Sequence, residues 1–322
     1  MTTDRPFATA WLGVLVGVLA AAAPARADDD RERRFPAVAD VEIDVALISG
    51  RIEIEGWDRA EVRIRVRGDV EALDIEVHDE DGEPVEWVAV RAPGRRGWLP
   101  LGGGADADVR IDVPRAADVH ARILNGPIRA KDLDGRLSLH AANGEIDVAG
   151  APAEADLETV NGSIDFRGRD SRVHARSVSG AIDLRGVADE VSATTMSSAI
   201  RVAGRALERV ELRSMSGAID FAGSLTDDAR ADLKSYSGSI TLELPSDTSA
   251  RFGVQSFSGG LRSELGDLDE PGRGRRGAPP GAGRRIEFDA GAGDARVSID
   301  TFSGSVRIES RARRDRHDRD DD

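Results

Sequence analysis

No cysteine occurs among the 322 residues. That excludes disulfides, thiolate metal sites and a lipid carried on a cysteine, so the chain must be held by its own core and strand ladders. Aromatic residues are scarce, at 4% with a single tyrosine, which leaves little surface for stacking bases or sugars. The formal net charge is −15 and no long basic patch interrupts it. Phosphate backbones are bound by clustered Lys and Arg, so no nucleic-acid partner is expected. Long apolar runs are missing too, with one exception near the start.

That exception is "WLGVLVGVLAAAA" (11–23), preceded by Arg5 and followed by "ARA" and an acidic run. It is short for a spanning helix, and Ala25 and Ala27 supply the small residues of a cleavage site. Residues 1–27 are therefore expected to be a signal peptide, with the chain exported to the periplasm or cell surface and not membrane-spanning after cleavage. The remainder, 322 − 27 = 295 residues, suits one elongated domain or two compact ones.

What is abundant is repetition. "TVNGSIDFRG" (159–168), "SVSGAIDLRG" (177–186) and "SMSGAIDFAG" (214–223) are near copies. Gly126, Gly144, Gly162 and Gly180 fall 18 residues apart, Ser198 takes the next place, and Gly217, Gly238 and Gly259 follow at steps of 19, 21 and 21. Gly304 resumes the series after an insertion, and Gly50 shows it upstream. Such a period marks a stacked-repeat architecture.

Two residues after the glycine stands an apolar column, Ile146, Ile164, Ile182, Ile200, Ile219 and Ile240, flanked by Ile128, Leu261 and Val306. Four after it come Val148, Phe166, Leu184, Val202, Phe221, Leu242 and Ile308; two before it come Leu124, Val160, Val178, Met196, Met215, Tyr236, Phe257 and Phe302. Apolar and polar residues alternate with period two, as in half-buried strands. Each unit reads as strand, Ser/Asn-Gly turn, strand, second turn. One such unit buries too little to fold alone. Stacking unit on unit would join the apolar columns, those before the glycine included, into one continuous core.

The expected fold is therefore all-β: a β-solenoid resembling a parallel β-helix, with 18–21 residues per coil, about nine coils and right-handed winding. The turn glycines are expected to provide positive φ. The expected division is a charged, disordered leader (28–35), a β-rich N-terminal cap (36–117) and solenoid repeats (118–309). A mobile Pro/Gly/Arg-rich insertion (269–285) and a disordered charged tail (310–322) complete it.

"ISGRIEIEGWDR", "DVRIDVPRAADVHARILNGPI", the run of Ser-Gly-x-Ile-Asp coils and "TFSGSVRIE" together resemble a bacterial domain-of-unknown-function family of exported β-strand-repeat proteins labelled adhesins. The resemblance spans roughly residues 36–309. It implies a β-solenoid without an assigned enzymatic activity, and it carries no catalytic residue onto this chain.

Several residue sets are nonetheless candidates for chemistry. Asp147, Asp165, Asp183 and Asp220 form a column three after the glycine, interrupted by Arg201 and Thr241. Stacked carboxylates could bind calcium, but the glycine-rich nonapeptide of calcium-binding β-rolls is absent. Arg167, Arg185 and Arg201 share the face and can offset the charge. A polysaccharide lyase or hydrolase would need paired carboxylates in a cleft, whereas these turns are short and the face is open. The five histidines (78, 120, 140, 174 and 317) do not cluster in the register. Thr159, Ser177, Thr195, Ser214, Ser235, Ser256 and Thr301 read as packing residues at a strand bend, and Trp87 and Trp98 as loop aromatics available to a partner.

No catalytic, cofactor or metal residues are assigned. The expected function is non-enzymatic: an adhesin or envelope-surface binder meeting an envelope protein or a glycan. The alternatives are a periplasmic scaffold or sensor partner, and a carbohydrate-active solenoid enzyme.

Overall fold

The computed structural model describes residues 31–68, 73–78, 83–92, 106–265 and 284–311. The expected signal peptide, Trp98, His317, most of the 269–285 insertion and the tail beyond 311 lie outside the described residues.

From residue 118 the chain climbs one period at a time. β6 (Asp118–Asn125) and β7 (Ile128–Lys131) meet at the Gly126 corner, and β8 (Arg136–Asn143) and β9 (Ile146–Ala149) repeat the arrangement. Pairing is parallel and in register, Val119 against Leu137 and Ile128 against Ile146. β10 (Glu154–Thr159), β11 (Ile164–Ser177), β12 (Ile182–Thr195), β13 (Ile200–Ser214), β14 (Ile219–Ser235) and β15 (Ile240–Pro245) continue the climb. Each of these side chains faces its equivalent one coil away. Ile146, Ile164, Ile182, Ile200, Ile219 and Ile240 are consecutive partners, all at most 1% exposed. Ile52 and Ile128 extend the column at one end, Val306 and Leu261 at the other. The fold is a β-solenoid.

The second corner is not a separate turn in four successive coils. β11 to β14 run through it as single strands of 14–17 residues. Register shifts mark the bend, and Asp170 (φ 56°), Asp189 (φ 57°) and Ala206 (φ 50°) adopt the left-handed conformation there. Aspartate is among the few residues that tolerate it.

Both ends depart from sequential stacking. β1 (Arg31–Trp57) does not lie at the N-terminal edge. It pairs on one side with β6 and β7 and on the other with β4 (Val85–Arg91) and β5 (Asp106–Pro114). The C-terminal end repeats the device: β19 (Ala295–Ser303) and β20 (Val306–Arg311) slot between the β14/β15 coil and β16 (Ala250–Ser258) with β17 (Leu261–Ser263). Antiparallel strands close the outer edges: β2 (Glu61–Gly68) on β5, β3 (Asp74–His78) on β4, and β18 (Arg284–Ala290) on β16. An open parallel edge would present unpaired N–H and C=O groups to any passing strand, and these caps remove that hazard.

The stack thus reads β4/β5, β1, β6/β7, β8/β9, β10/β11, β11/β12, β12/β13, β13/β14, β14/β15, β19/β20, β16/β17. That makes eleven coils among the described residues rather than about nine, and at strand spacing a rod of roughly 50 Å. The division at residue 118 moves accordingly, because residues 42–57 already form a full coil. Residues 31–35, expected to be disordered, are strand: Arg31–Pro36 pair antiparallel with Glu61–Val66. Ser310 and Arg311 likewise belong to β20 rather than to a tail.

Candidate functional site

The Ser/Asn-Gly corner stacks into a continuous edge. Its glycines are not there for positive φ. Gly144, Gly162, Gly180, Gly217, Gly238, Gly259 and Gly304 lie outside the left-handed region, and only Gly50 (120°) and Gly126 (137°) enter it. The reason is close approach. A Cβ on Gly162 would stand inside 3.0 Å of the Gly144 carbonyl oxygen, and the same holds from coil to coil along the column. Ser198, the one serine, directs its hydroxyl to the Ser179 carbonyl at 2.9 Å.

Three residues earlier, the buried Ser/Thr column ties the corner down. Thr159 Oγ1 donates to the Gly144 carbonyl (3.0 Å) and Ser177 Oγ to that of Gly162 (3.1 Å), while the Gly180 amide donates to Ser177 Oγ (2.8 Å). Ser214 and Ser235 repeat the contact at 3.4 and 3.2 Å. Small hydroxyl residues recur because they fit beside the glycine and, from Thr159 to Ser235, bridge two coils, whereas Ser256 and Thr301 are buried there without a hydrogen-bond partner.

The column two before the glycine departs from expectation. The strand alternation suggested core, yet Ile48, Leu124, Val160, Val178, Met196, Met215, Tyr236, Phe257 and Phe302 are 39–56% exposed. At the corner the backbone swings outward, so consecutive apolar columns fall on opposite sides of the wall. The result is an apolar ladder along the rod. Its C-terminal end is aromatic: Phe302 stacks between Tyr236 (4.9 Å) and Phe257 (4.8 Å), planes within 3°. Soluble proteins seldom leave so continuous an apolar strip bare without a partner for it.

The ladder forms one wall of two shallow grooves that share Thr194 and Met196, with volumes of about 650 and 800 Å3. The other wall is the column four before the glycine, which includes Arg122, His140, Glu158, Arg176, Arg213 and Lys234. His140 Nδ1 and Arg176 Nη1 reach Glu158 at 3.1 and 3.3 Å, and Lys234 Nζ lies 3.7 Å from Asp300. From residue 159 onward the corner is free of charge: "TVNGSI", "SVSGAI", "TMSSAI", "SMSGAI", "SYSGSI", "TFSGSV" and "SFSGGL" contain none, in a chain 32% charged; Arg51 and Glu145 are the charges at the N-terminal corners. Asn125, Asn143 and Asn161 link their amides along it at 3.0 and 2.9 Å.

Residues 170–309 match the family model described as Toastrack DUF4097. That stretch is similar to a Toastrack domain. No curated protein matches the chain. Three solved structures align loosely. A "putative cell adhesion protein" from Clostridium sporogenes has 12% identity and TM-score 0.22, covering 88% of this chain and all of that one. A "putative lipid binding protein" from Parabacteroides distasonis has 14% identity and TM-score 0.38, covering 88% and 95%. A "putative adhesin" from Bacteroides fragilis has 11% identity and TM-score 0.31, covering 88% and 98%.

The matched stretch carries half of the aspartate column, and its arginines lie where the carboxylates need them. Arg185 meets Asp183 at 2.8 Å and Arg201 approaches Asp220 at 3.9 Å; just outside that stretch, Arg167 bridges Asp147 (3.7 Å) and Asp165 (3.4 Å). Asp183 holds the Arg185 guanidinium above its ordinary value, through the hydrogen bond first and charge second. Asp183, Asp220 and Glu243 line a shallow groove of about 350 Å3 on this face together with Arg185 and Arg201, which pair with the aspartates. Among the described residues no three His, Asp or Glu side chains converge as metal ligands. His120 and His174 remain on separate coils. Trp87 is half-buried on β4, with the Arg91 guanidinium 5.6 Å from its ring centre. Among the described residues no helix is long and apolar enough to cross a membrane.

The exposed ladder had a sequence signal: the residues two before the glycine lie next to a column of small hydroxyl residues. Alternation places neighbouring residues on opposite faces, so the buried serines and the ladder could not both point inward.

Proposed function

We propose that this chain is an exported, non-enzymatic adhesion or envelope-binding protein whose recognition surface is the Ser/Asn-Gly corner. The observation that carries this reading is the exposed apolar ladder from Ile48 to Phe257, bordered by a charged column. A flat apolar strip with a polar rim has the anatomy of a protein-binding surface rather than of a reaction site. The aromatic end favours a protein partner over a glycan. A sugar packs on a free ring face, and here both faces of Phe302 and one face each of Tyr236 and Phe257 are taken up by the stack. Export is supported by the segment 1–27.

The test is fractionation with surface labelling of the native chain and of Met196→Glu and Tyr236→Glu. Both sites are about half exposed, so the fold should survive, as circular dichroism can verify. The expected outcome is recovery of the native chain in the envelope or surface fraction and release of the variants into the soluble exported fraction. A native chain retained in the cytoplasm, or variants retained as firmly as the native chain, would overturn the reading.

A further inference from the structure

The apolar ladder is graded. Toward the N-terminal end its residues are small to medium: Leu124, then Ala142 and Val160. Toward the C-terminal end they are long or aromatic: Met215, then Tyr236 and Phe302. Backbone hydrogen bonds fix this order along the rod. Ser179 N donates to Val160 O, Met196 N to Val178 O, Ser216 N to Met196 O and Ser303 N to Tyr236 O.

A second copy of the chain, turned end for end, complements this gradient. Place a two-fold axis across the ladder midway between Val178 and Met196. Each Val178 then faces the other copy's Met196, and Val160 faces Met215. Moving outward, Ala142 faces Tyr236 and Leu124 faces Phe302. At the last step Ile48 faces Phe257. Every large side chain meets a small or medium one, as close packing requires. A parallel pairing would instead oppose Tyr236 to Tyr236 and leave a gap at Ala142.

The rim agrees with the same axis. The antiparallel arrangement brings the charged column of one copy onto that of the other. Arg122 then falls opposite Asp300, Glu158 opposite Arg213, and Arg176 opposite the neutral Thr194. His140 opposite Lys234 is the one juxtaposition that is not complementary. Rim charges of this kind set register more than affinity.

Area is adequate as well. Nine apolar side chains 39–56% exposed, together with the uncharged corner residues beside them, offer on the order of 800 Å2 per copy, the size of a standard stable interface.

We infer that the recognition proposed for the Ser-Gly corner is between copies: its partner is a second copy of this chain, bound antiparallel about an axis between Val178 and Met196, so that adhesion through this surface joins one copy to another. The inference rests on the proposal that this corner is the recognition surface. The contact is isologous and closes on itself, so it yields a dimer and not a filament.

A chain without cysteine permits a direct test. Leu124→Cys and Phe302→Cys variants of the purified exported chain are oxidised separately and mixed, alongside sedimentation analysis of the native chain and of Met196→Glu. In the inferred register the two sites face each other across the interface. Within one rod they lie seven coils apart, roughly 34 Å, too far for like sites to meet. The expected result is a native dimer whose dissociation constant rises at least tenfold in Met196→Glu, with disulfide dimers formed abundantly in the mixture and sparsely in either variant alone. A monomeric native chain, a dimer indifferent to Met196→Glu, or efficient cross-linking of Leu124→Cys with itself would overturn the inference. Envelope retention measured on the same proteins separates the two ideas. A monomeric native chain whose retention still depends on Met196 overturns only the self-association, whereas a native dimer with retention unaffected by Met196→Glu overturns only the envelope-binding reading.

Discussion

Gly180 packs edge-on against Gly162, so close that a Cβ on Gly180 would sit inside 3.0 Å of the Gly162 carbonyl oxygen. Backbone cannot yield as a flexible side chain does, and the same contact repeats above and below. Gly180→Ala is expected to destabilise by about 3 kcal/mol, lowering Tm by roughly 5–10 °C. Arg185→Ala, which removes only an exposed pair with Asp183, is expected to leave Tm unchanged. Thermal unfolding of both variants checks this, and equal shifts would remove the close-approach argument.

Ser177 and Ser256 occupy the same column and should respond oppositely. Ser177 Oγ donates to Gly162 and accepts from Gly180, so Ser177→Ala should cost about 1–2 kcal/mol. Ser177→Thr should be nearly neutral, since Thr159 and Thr195 already fill equivalent places. Ser256 Oγ is buried without a hydrogen-bond partner, and its replacement by alanine should be neutral or stabilising. Chemical denaturation of the three variants supplies the comparison.

Asp118 links stability to pH. Burial disfavours its charge, but side-chain and backbone hydrogen bonds from Arg136 together outweigh that and hold the carboxyl below its ordinary 3.8. A carboxylate lowered on folding stabilises at pH above 3.8 and loses that contribution as pH falls through its folded value. Asp118→Asn should therefore melt slightly below the native chain at pH 7, and the gap should narrow below pH 3.8. A gap that widened on acidification would contradict the assignment.

Asp112 seals the N-terminal cap. Its side chain is 4% exposed and accepts from Arg63 Nε at 2.7 Å and Arg65 Nη2 at 2.8 Å, both from the capping strand β2. Asp112→Ala leaves Arg63 and Arg65 facing each other at that seam, with Arg110, whose Nε lies 3.8 Å from the Asp112 carboxylate, beside them. Discounted for the partly exposed guanidinium groups, the expected loss is about 2–3 kcal/mol. Asp112→Leu combined with Arg63→Met and Arg65→Met should recover much of it, since the remaining Arg110 keeps its pair with Glu55.

The inserted end coils predict how truncation fails. Removing a terminal coil from an ordinary solenoid trims one layer. Ending this chain at residue 294 removes β19 and β20 and exposes both β14 and β16. Broad, non-cooperative unfolding is expected, in contrast to a modest fall in Tm.

The sequence alone determined the solenoid, because stacking forces equivalent residues into identical columns and a column is visible as a period. Ile146 to Ile240 could be aligned by counting, and the pairing of Arg185 with Asp183 could be inferred from their places two apart on one face. Tertiary structure alone decided three things. The glycines serve close approach rather than positive φ, since the distance between neighbouring coils is not written in either coil. How far the ladder from Leu124 to Phe257 stands out of the wall, 41–56% exposed, depends on how the backbone turns at the corner, although its side follows from the neighbouring hydroxyl column. And the first and last coils lie inside the stack: strand order along the rod is set by which edges can be covered, a property of the assembled sheet that no local stretch of sequence encodes.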